Sequence, residues 1–282
     1  MTGSNADDAA GEDYRFGINS WQLGEIVLDR GIVGGDIHVR AASVRGRSHR
    51  ATGLPRQDAY GVAETAGGQG IVVVIADGVS STPFAHEAAH LAVRSLTSRI
   101  AKLAEFSEWR NSARIVECFV EVSGLIADLG TNRRGSSPLG GRAATTVLLL
   151  VVKRGADGTW LGIAARVGDS AAFISFEPSA WHPLFEDAHP VDVIDQEVAA
   201  LPYSGESSDP ELRAFDAPAG AGLLLVSDGA LSKIAGLEDL LVKSEGLPSV
   251  LELASYLDSE KKGEIDDKTM VLISLGAGAA SA

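Results

Sequence analysis

Residues 70–78 read Gly-Ile-Val-Val-Val-Ile-Ala-Asp-Gly. The run is continuous, mostly β-branched and closed by a turn-forming Asp-Gly pair, which predicts a buried strand over residues 70–76 that ends at Asp77. A second run of this kind, residues 223–226, ends at Asp228-Gly229, and the pair Asp266-Asp267 immediately precedes a third over residues 269–275. Shorter β-like segments at 38–44 and 60–64 lie upstream. Segments 145–152, 160–167 and 171–176 follow in sequence and predict an antiparallel meander.

Between these strands the period changes. Thr82-Pro83 has the form of an N-cap with proline in the first turn, and Ala85, Ala89, Ala92, Val93, Leu96, Ile100 and Leu103 follow at helical spacing. A second helix over residues 111–129 carries Ile115, Phe119, Val122, Ile126 and Leu129 on one stripe, and a short third helix is expected at 249–257. Residues 130–142 read as a loop. Residues 177–219 hold six of the ten prolines and much acidic sequence, and read as a variable insert with a short helix at 191–200. Residues 1–34 form an N-terminal extension with one short docked piece at 26–28, residues 35–276 one folded domain, and residues 277–282 a flexible tail. The expected class is α+β.

The 282 residues are 45% hydrophobic, enough for a substantial core, and carry a formal charge of −14, which repels nucleic-acid backbones and anionic lipid. Neither nucleic acid nor membrane is an expected partner. No apolar run reaches the roughly 18 residues needed for a bilayer span, and the first 15 residues are acidic where a secretory signal is basic, so the expected location is cytoplasmic. The single cysteine, Cys118, falls among Ile115, Phe119 and Val122 and reads as packing.

The chemistry lies at the strand ends. A strand fixes its terminal side chain, so Asp77, Asp228 and Asp266 can converge, and converging carboxylates repel one another unless a divalent cation offsets them. Oxygen-rich sites suit Mg²⁺ or Mn²⁺. Gly78 and Gly229 allow a tight turn in which a backbone carbonyl can join the ligands. Asp-Gly after a strand is also an ordinary turn signal, and the argument rests on its recurrence.

An ordered series of blocks resembles the metal-dependent protein phosphatases of the protein phosphatase 2C type. It comprises RQDAY (56–60), VIADGVSS (74–81), ATTVLLLVV (144–152), ARVGDSAAFI (165–174), LLVSDGALS (224–232) and DDKTMVLI (266–273). The resemblance implies a central antiparallel β-sandwich flanked by helices in four αββα layers. It also implies a phosphoprotein phosphatase specific for Ser/Thr, with phosphorylated proteins as substrates. Two Mn²⁺ or Mg²⁺ ions, with room for a third, would sit at one end of the sandwich, and a metal-bridging water would attack the phosphoester directly. By position, Asp77 would bridge the metals, the Gly78 carbonyl would ligate one, Asp228 and Asp266 would complete the other, and Asp169 would serve the third. Asp58 would orient the nucleophilic water. No catalytic cysteine or phosphate loop is required.

Gln57 stands where the family often has Glu, and Ser80-Ser81 where it has a glycine pair. Asp267 replaces a common Asn, and the alternative to a place beside Asp266 in the site is a turn residue. A phosphate-binding arginine is expected among Arg45, Arg47, Arg50 and Arg56; Arg50 is favoured, with His49 as proton donor to the leaving group. One alternative is a catalytically weak or inactive phosphatase-like regulatory module, supported by Gln57 and the shifted arginines. Another is a zinc metalloprotease, because His86-Glu87-Ala88-Ala89-His90 satisfies HExxH; Glu105 or Glu108 would have to supply the third ligand.

Overall fold

A computed structural model describes residues 24–276 apart from 66–67, 104–108, 134–141, 178–179, 187–197, 204–208, 245 and 260–263. Among the described residues, eleven strands form two antiparallel sheets. The first contains β1 (Ile26–Val33), β2 (Ile37–Val44), β7 (Ala171–Glu177), β8 (Ala180–Pro183), β10 (Gly222–Val226) and β11 (Lys268–Leu275), in the order β1-β2-β11-β10-β7-β8. The second contains β3 (Ala59–Glu64), β4 (Gly70–Ala76), β5 (Val147–Arg154), β6 (Trp160–Val167) and β9 (Glu211–Ala217), in that order. Five helices accompany them: α1 (Arg47–Thr52), α2 (Ala85–Leu103), α3 (Ser112–Asn132), α4 (Leu237–Lys243) and α5 (Val250–Asp258).

The unbroken apolar strands are explained by burial on both faces. In β4, Ile71, Val73 and Ile75 face the other sheet, while Val72, Val74 and Ala76 pack under α2 and α3. β10 and β11 do the same: Leu223, Leu225, Val271 and Ile273 point between the sheets, and Leu224, Val226, Met270 and Leu272 pack against the α4–α5 side. Three apolar layers thus separate four structural layers, αββα. Each fully buried aliphatic side chain contributes about 1.5–3 kcal/mol.

Several boundaries differ from those expected. The three-strand meander stops after β6, because β7 crosses into the other sheet at Gly168, whose φ of 106° suits glycine. Helix α2 begins at Ala85, since Thr82 turns back to donate both its N–H and its Oγ1–H to the Val79 carbonyl. Residues 26–33 pair with β2 along their whole length, so the sheet starts inside the expected extension. The expected insert contains β8 and β9, and most of its expected helix at 191–200 lies outside the described residues. Among the described residues no helix is long and apolar enough to cross a membrane.

Candidate active site

Strand register brings the acids together. Ala59 pairs with Ala76 across β3 and β4, so the next residues outward are Asp58 and Asp77. Val226 pairs with Met270 across β10 and β11, and beyond them the Ser227 N–H donates to the Thr269 carbonyl at 3.0 Å, bringing Asp228 and Asp266 to the same end. Asp169 sits on the β6–β7 link. The carboxylates act on one another: Asp77 feels Asp58, Asp228 and Asp266, while Asp169 feels Asp228 and Asp266.

Close backbone approach explains both glycines of the Asp-Gly pairs. A Cβ on Gly78 would lie 2.7 Å from the Ala85 carbonyl at the start of α2, and one on Gly229 would lie 2.1 Å from the Asp267 carbonyl oxygen. The Asp77 loop is pinned by Thr145 Oγ1 and Thr146 N–H, each donating to the Asp77 carbonyl at 2.8 Å.

Burial and mutual repulsion disfavour ionisation of Asp58, Asp77, Asp169 and Asp266. Asp58 is fully buried, and burial and the Asp267 charge push its carboxyl up to about 7 despite hydrogen bonds that favour the anion. Those bonds come from Ser227 Oγ at 2.8 Å and Thr269 Oγ1 at 2.7 Å, both to Oδ2; Oδ1 is buried without a partner. Burial, then Asp58 and Asp228, holds Asp77 well above the usual carboxylate range. Asp169 and Asp266 are raised chiefly by burial, with Asp228 adding to both. A group of converging acids, with a buried and unpartnered oxygen on Asp58, fits a divalent cation, which would replace the repulsion with coordination.

His49, on α1, joins this cluster through Asp267. Its Nδ1 lies 2.9 Å from Asp267 Oδ1, and ligand atoms of His49, Asp266 and Asp267 fall within 4.8 Å of one another. Burial alone would lower the imidazole, but the Asp267 hydrogen bond and the charges of Asp267, Asp266 and Asp58 outweigh it and raise the His49 pKa. Asp267 is itself buried and accepts backbone N–H bonds from Gly46 and Gln57, each at 2.5 Å, and from Asp58 at 3.4 Å. It is a support for the site, a role that the sequence left open. Ser227 and Thr269, which hold Asp58, carried no sequence signal beyond their places beside the strand-end acids.

The arginines separate. Arg50 reaches Asp258 on α5 at 2.5 Å and Glu25, just before β1, at 3.3 Å. Arg45 also pairs with Glu25, at 2.6 Å, and donates to the His49 carbonyl at 2.8 Å. Arg56 is 2% exposed and feels the Asp58 and Asp267 charges, with burial opposing its cation. A groove of about 1030 Å³ opens beside the acids, lined in part by Val79, Ser81, Arg142, Arg166, Gly168 and Tyr203.

The HExxH residues lie on α2, with Glu87 engaged by Arg133 at 2.7 Å. Burial lowers both imidazoles, His90 to about 4, and Arg56 adds to the effect on His90. Among the described residues no group of three metal-ligating side chains includes His86 or His90; Glu105 and Glu108 lie outside those residues.

The chain matches the family model described as Protein phosphatase 2C over residues 45–269. No curated protein matches it. Among solved structures, the S. agalactiae serine/threonine phosphatase gives a TM-score of 0.64 at 20% identity, covering 85% of this chain and 99% of that one. The Mycobacterium tuberculosis serine/threonine phosphatase PstP gives 0.55 at 18% identity, with coverage of 86% and 99%. RsbX in complex with magnesium gives 0.52 at 13% identity, with coverage of 89% and 100%. At these identities the structural likeness establishes the shared fold.

Proposed function

The chain belongs to the protein phosphatase 2C family, and on that premise we propose that it hydrolyses phosphoserine or phosphothreonine in proteins at the acidic end of its sandwich. The observation that carries this reading is the convergence of Asp58, Asp77, Asp169, Asp228 and Asp266 from both sheets on one end of the sandwich, with Asp58 buried and the charges acting on one another. Asp77, Asp228, Asp266 and the Gly78 carbonyl would hold two Mn²⁺ or Mg²⁺ ions, with Asp169 serving a third. When bound, such ions acidify a water for direct attack on phosphorus and neutralise charge on the phosphoryl oxygens.

The chain's own groups complete the reading. Ser227 and Thr269 fix one oxygen of Asp58, leaving Oδ1 to accept a hydrogen bond from the attacking water and orient it. Asp267 holds His49 at Nδ1, so the other ring nitrogen is the one that would give a proton to the departing serine or threonine oxygen. Arg50 takes a structural part, joining α1 to Glu25 and Asp258. The groove beside Val79 would receive the flanking chain of the phosphoprotein.

The test is hydrolysis of p-nitrophenyl phosphate and a phosphothreonine peptide by metal-stripped protein with Mn²⁺, Mg²⁺ or Zn²⁺ restored separately. Activity returning with Mn²⁺ or Mg²⁺, and absent in Asp228→Asn, is expected. Folded protein that binds Mn²⁺ without turnover would favour the regulatory module, and activity on peptide bonds with Zn²⁺ alone would favour the HExxH reading.

A further inference from the structure

Lys233 is the most enclosed cation of the described residues outside the acid cluster. It lies on the 3-10 turn Asp228–Gly236, five positions after Asp228, and is 1% exposed. Its Nζ sits 2.8 Å from Glu264 Oε2 and 3.3 Å from Ser259 Oγ, and it also donates to the Ser259 carbonyl. Glu264 lies two positions before Asp266, and its other oxygen, Oε1, accepts from Ser232 Oγ at 2.5 Å. Tyr256 of α5 closes the far side, its hydroxyl donating to the Lys233 carbonyl.

Glu264 Oε2 also lies 3.9 Å from the buried Lys268 Nζ, so it faces two cations. Removing an ammonium from water costs several kcal/mol, and a buried ion pair usually recovers little net stability beyond an apolar replacement; setting register is the better-attested use. Here the pair joins two segments that deliver separate acids to one point. The segment before β11 supplies Asp266 and the turn after β10 supplies Asp228, and these two carboxylates repel. The segments already touch at Gly229, where a Cβ would lie 3.3 Å from Asp266 Cβ. The strands below are already paired, and Ser227 and Thr269 bond across them; Lys233 and Glu264 add a charged tie on the outward side of the two acids.

We propose that Lys233 and Glu264 form a positioning pair that fixes the separation of the Asp228 and Asp266 carboxylates, and thereby sets how tightly the site holds its divalent ion. The inference rests on reading Asp228 and Asp266 as ligands. Charge acting through space makes a different prediction. Loss of the Lys233 cation should then tighten metal binding and loss of the Glu264 anion weaken it, whereas loss of position weakens both.

The experiment is calorimetric titration of Mn²⁺ into metal-stripped wild-type protein, Lys233→Met, Glu264→Gln and Asp228→Asn, with a thermal melt of each. Both pair variants are expected to bind Mn²⁺ at least about tenfold more weakly than wild type, the usual scale for groups that orient ligands. Unchanged affinity in folded pair variants, even with a lowered melting temperature, would reduce the pair to a fold contact and overturn the proposal. Tighter binding by Lys233→Met would overturn it in favour of simple electrostatics. If Lys233→Met does not fold, Lys233→Gln replaces it, because weakened binding by Glu264→Gln is also what charge acting through space predicts, while unchanged affinity in Glu264→Gln would still overturn the proposal. Asp228→Asn binding Mn²⁺ as wild type does would instead defeat the ligand reading, and the proposal with it.

Discussion

The buried Asp58 carboxyl makes the metal-free protein sensitive to pH in an unusual direction. With a folded pKa near 7 and an unfolded value near 3.8, Asp58 keeps its proton in the native state while the unfolded chain has lost it. Stability from this group is therefore present below the unfolded value and falls as pH rises, at about 1.4 kcal/mol per unit, until the folded group ionises near pH 7. Between about pH 5.5 and about pH 7.5 the loss is roughly 2 kcal/mol, or roughly 4–8 °C in melting temperature for a domain of this size. In Asp58→Asn the amide oxygen can still accept from Ser227 and Thr269, but the titration is gone. Thermal melts of both proteins in EDTA across this range should show the variant's advantage growing by about that amount as pH rises. Using the difference cancels the groups that do not feel Asp58, among them His90, whose depressed pKa acts in the opposite sense. A difference that stays flat, or shrinks toward alkaline pH, would refute the burial and repulsion argument.

His90, lowered to about 4, stays neutral in the folded state while the unfolded imidazole takes a proton below about 6.5, so stability is lost as pH falls. His90→Gln should gain up to about 2 kcal/mol relative to wild type at pH 5 and little at pH 7.5, read from urea unfolding at both. Gly229→Ala forces its Cβ against the Asp267 carbonyl and should cost about 2 kcal/mol or more by denaturant unfolding, with weakened Mn²⁺ binding in the same preparation. Asp77→Asn should reduce Mn²⁺-dependent p-nitrophenyl phosphate turnover by at least about a hundredfold while leaving the circular dichroism unchanged. Near-normal turnover would remove Asp77 from the site.

The two-faced strands made much of the fold legible. Gly70–Ala76 needed no partner to be recognised, because an uninterrupted apolar run of strand length implies burial on both faces. α5 was equally local: Ser249 and Glu252 form a capping box, so the start at residue 249 was written in adjacent residues. β1 and β9 were missed for a complementary reason. Both are edge strands with mixed burial, and their alternation is interrupted by charges that face solvent, so each gains strand structure from the neighbour it pairs with rather than from its own pattern. The β6–β7 junction misled because two consecutive antiparallel-looking strands carry no local mark of which sheet receives the second.

The site divides along the same line between local and distant causes. Asp77, Asp228 and Asp266 could be picked out because each adjoins its own strand, and a strand end is a local feature. Their supports could not. Asp267 receives the Gly46 N–H from 221 positions away and the Gln57 N–H from 210, and Ser227 and Thr269 meet Asp58 across 169 and 211 positions. Arg50 follows the same division: its place after His49 suits a phosphate contact, while its ion pairs with Glu25 and Asp258 come from other segments and are not visible in spacing. A guanidinium goes to the carboxylates that topology brings within reach. The same topology gathers the strand-end acids at one point, which is why Asp58, Asp77, Asp169 and Asp266 all hold their protons above the usual carboxylate range.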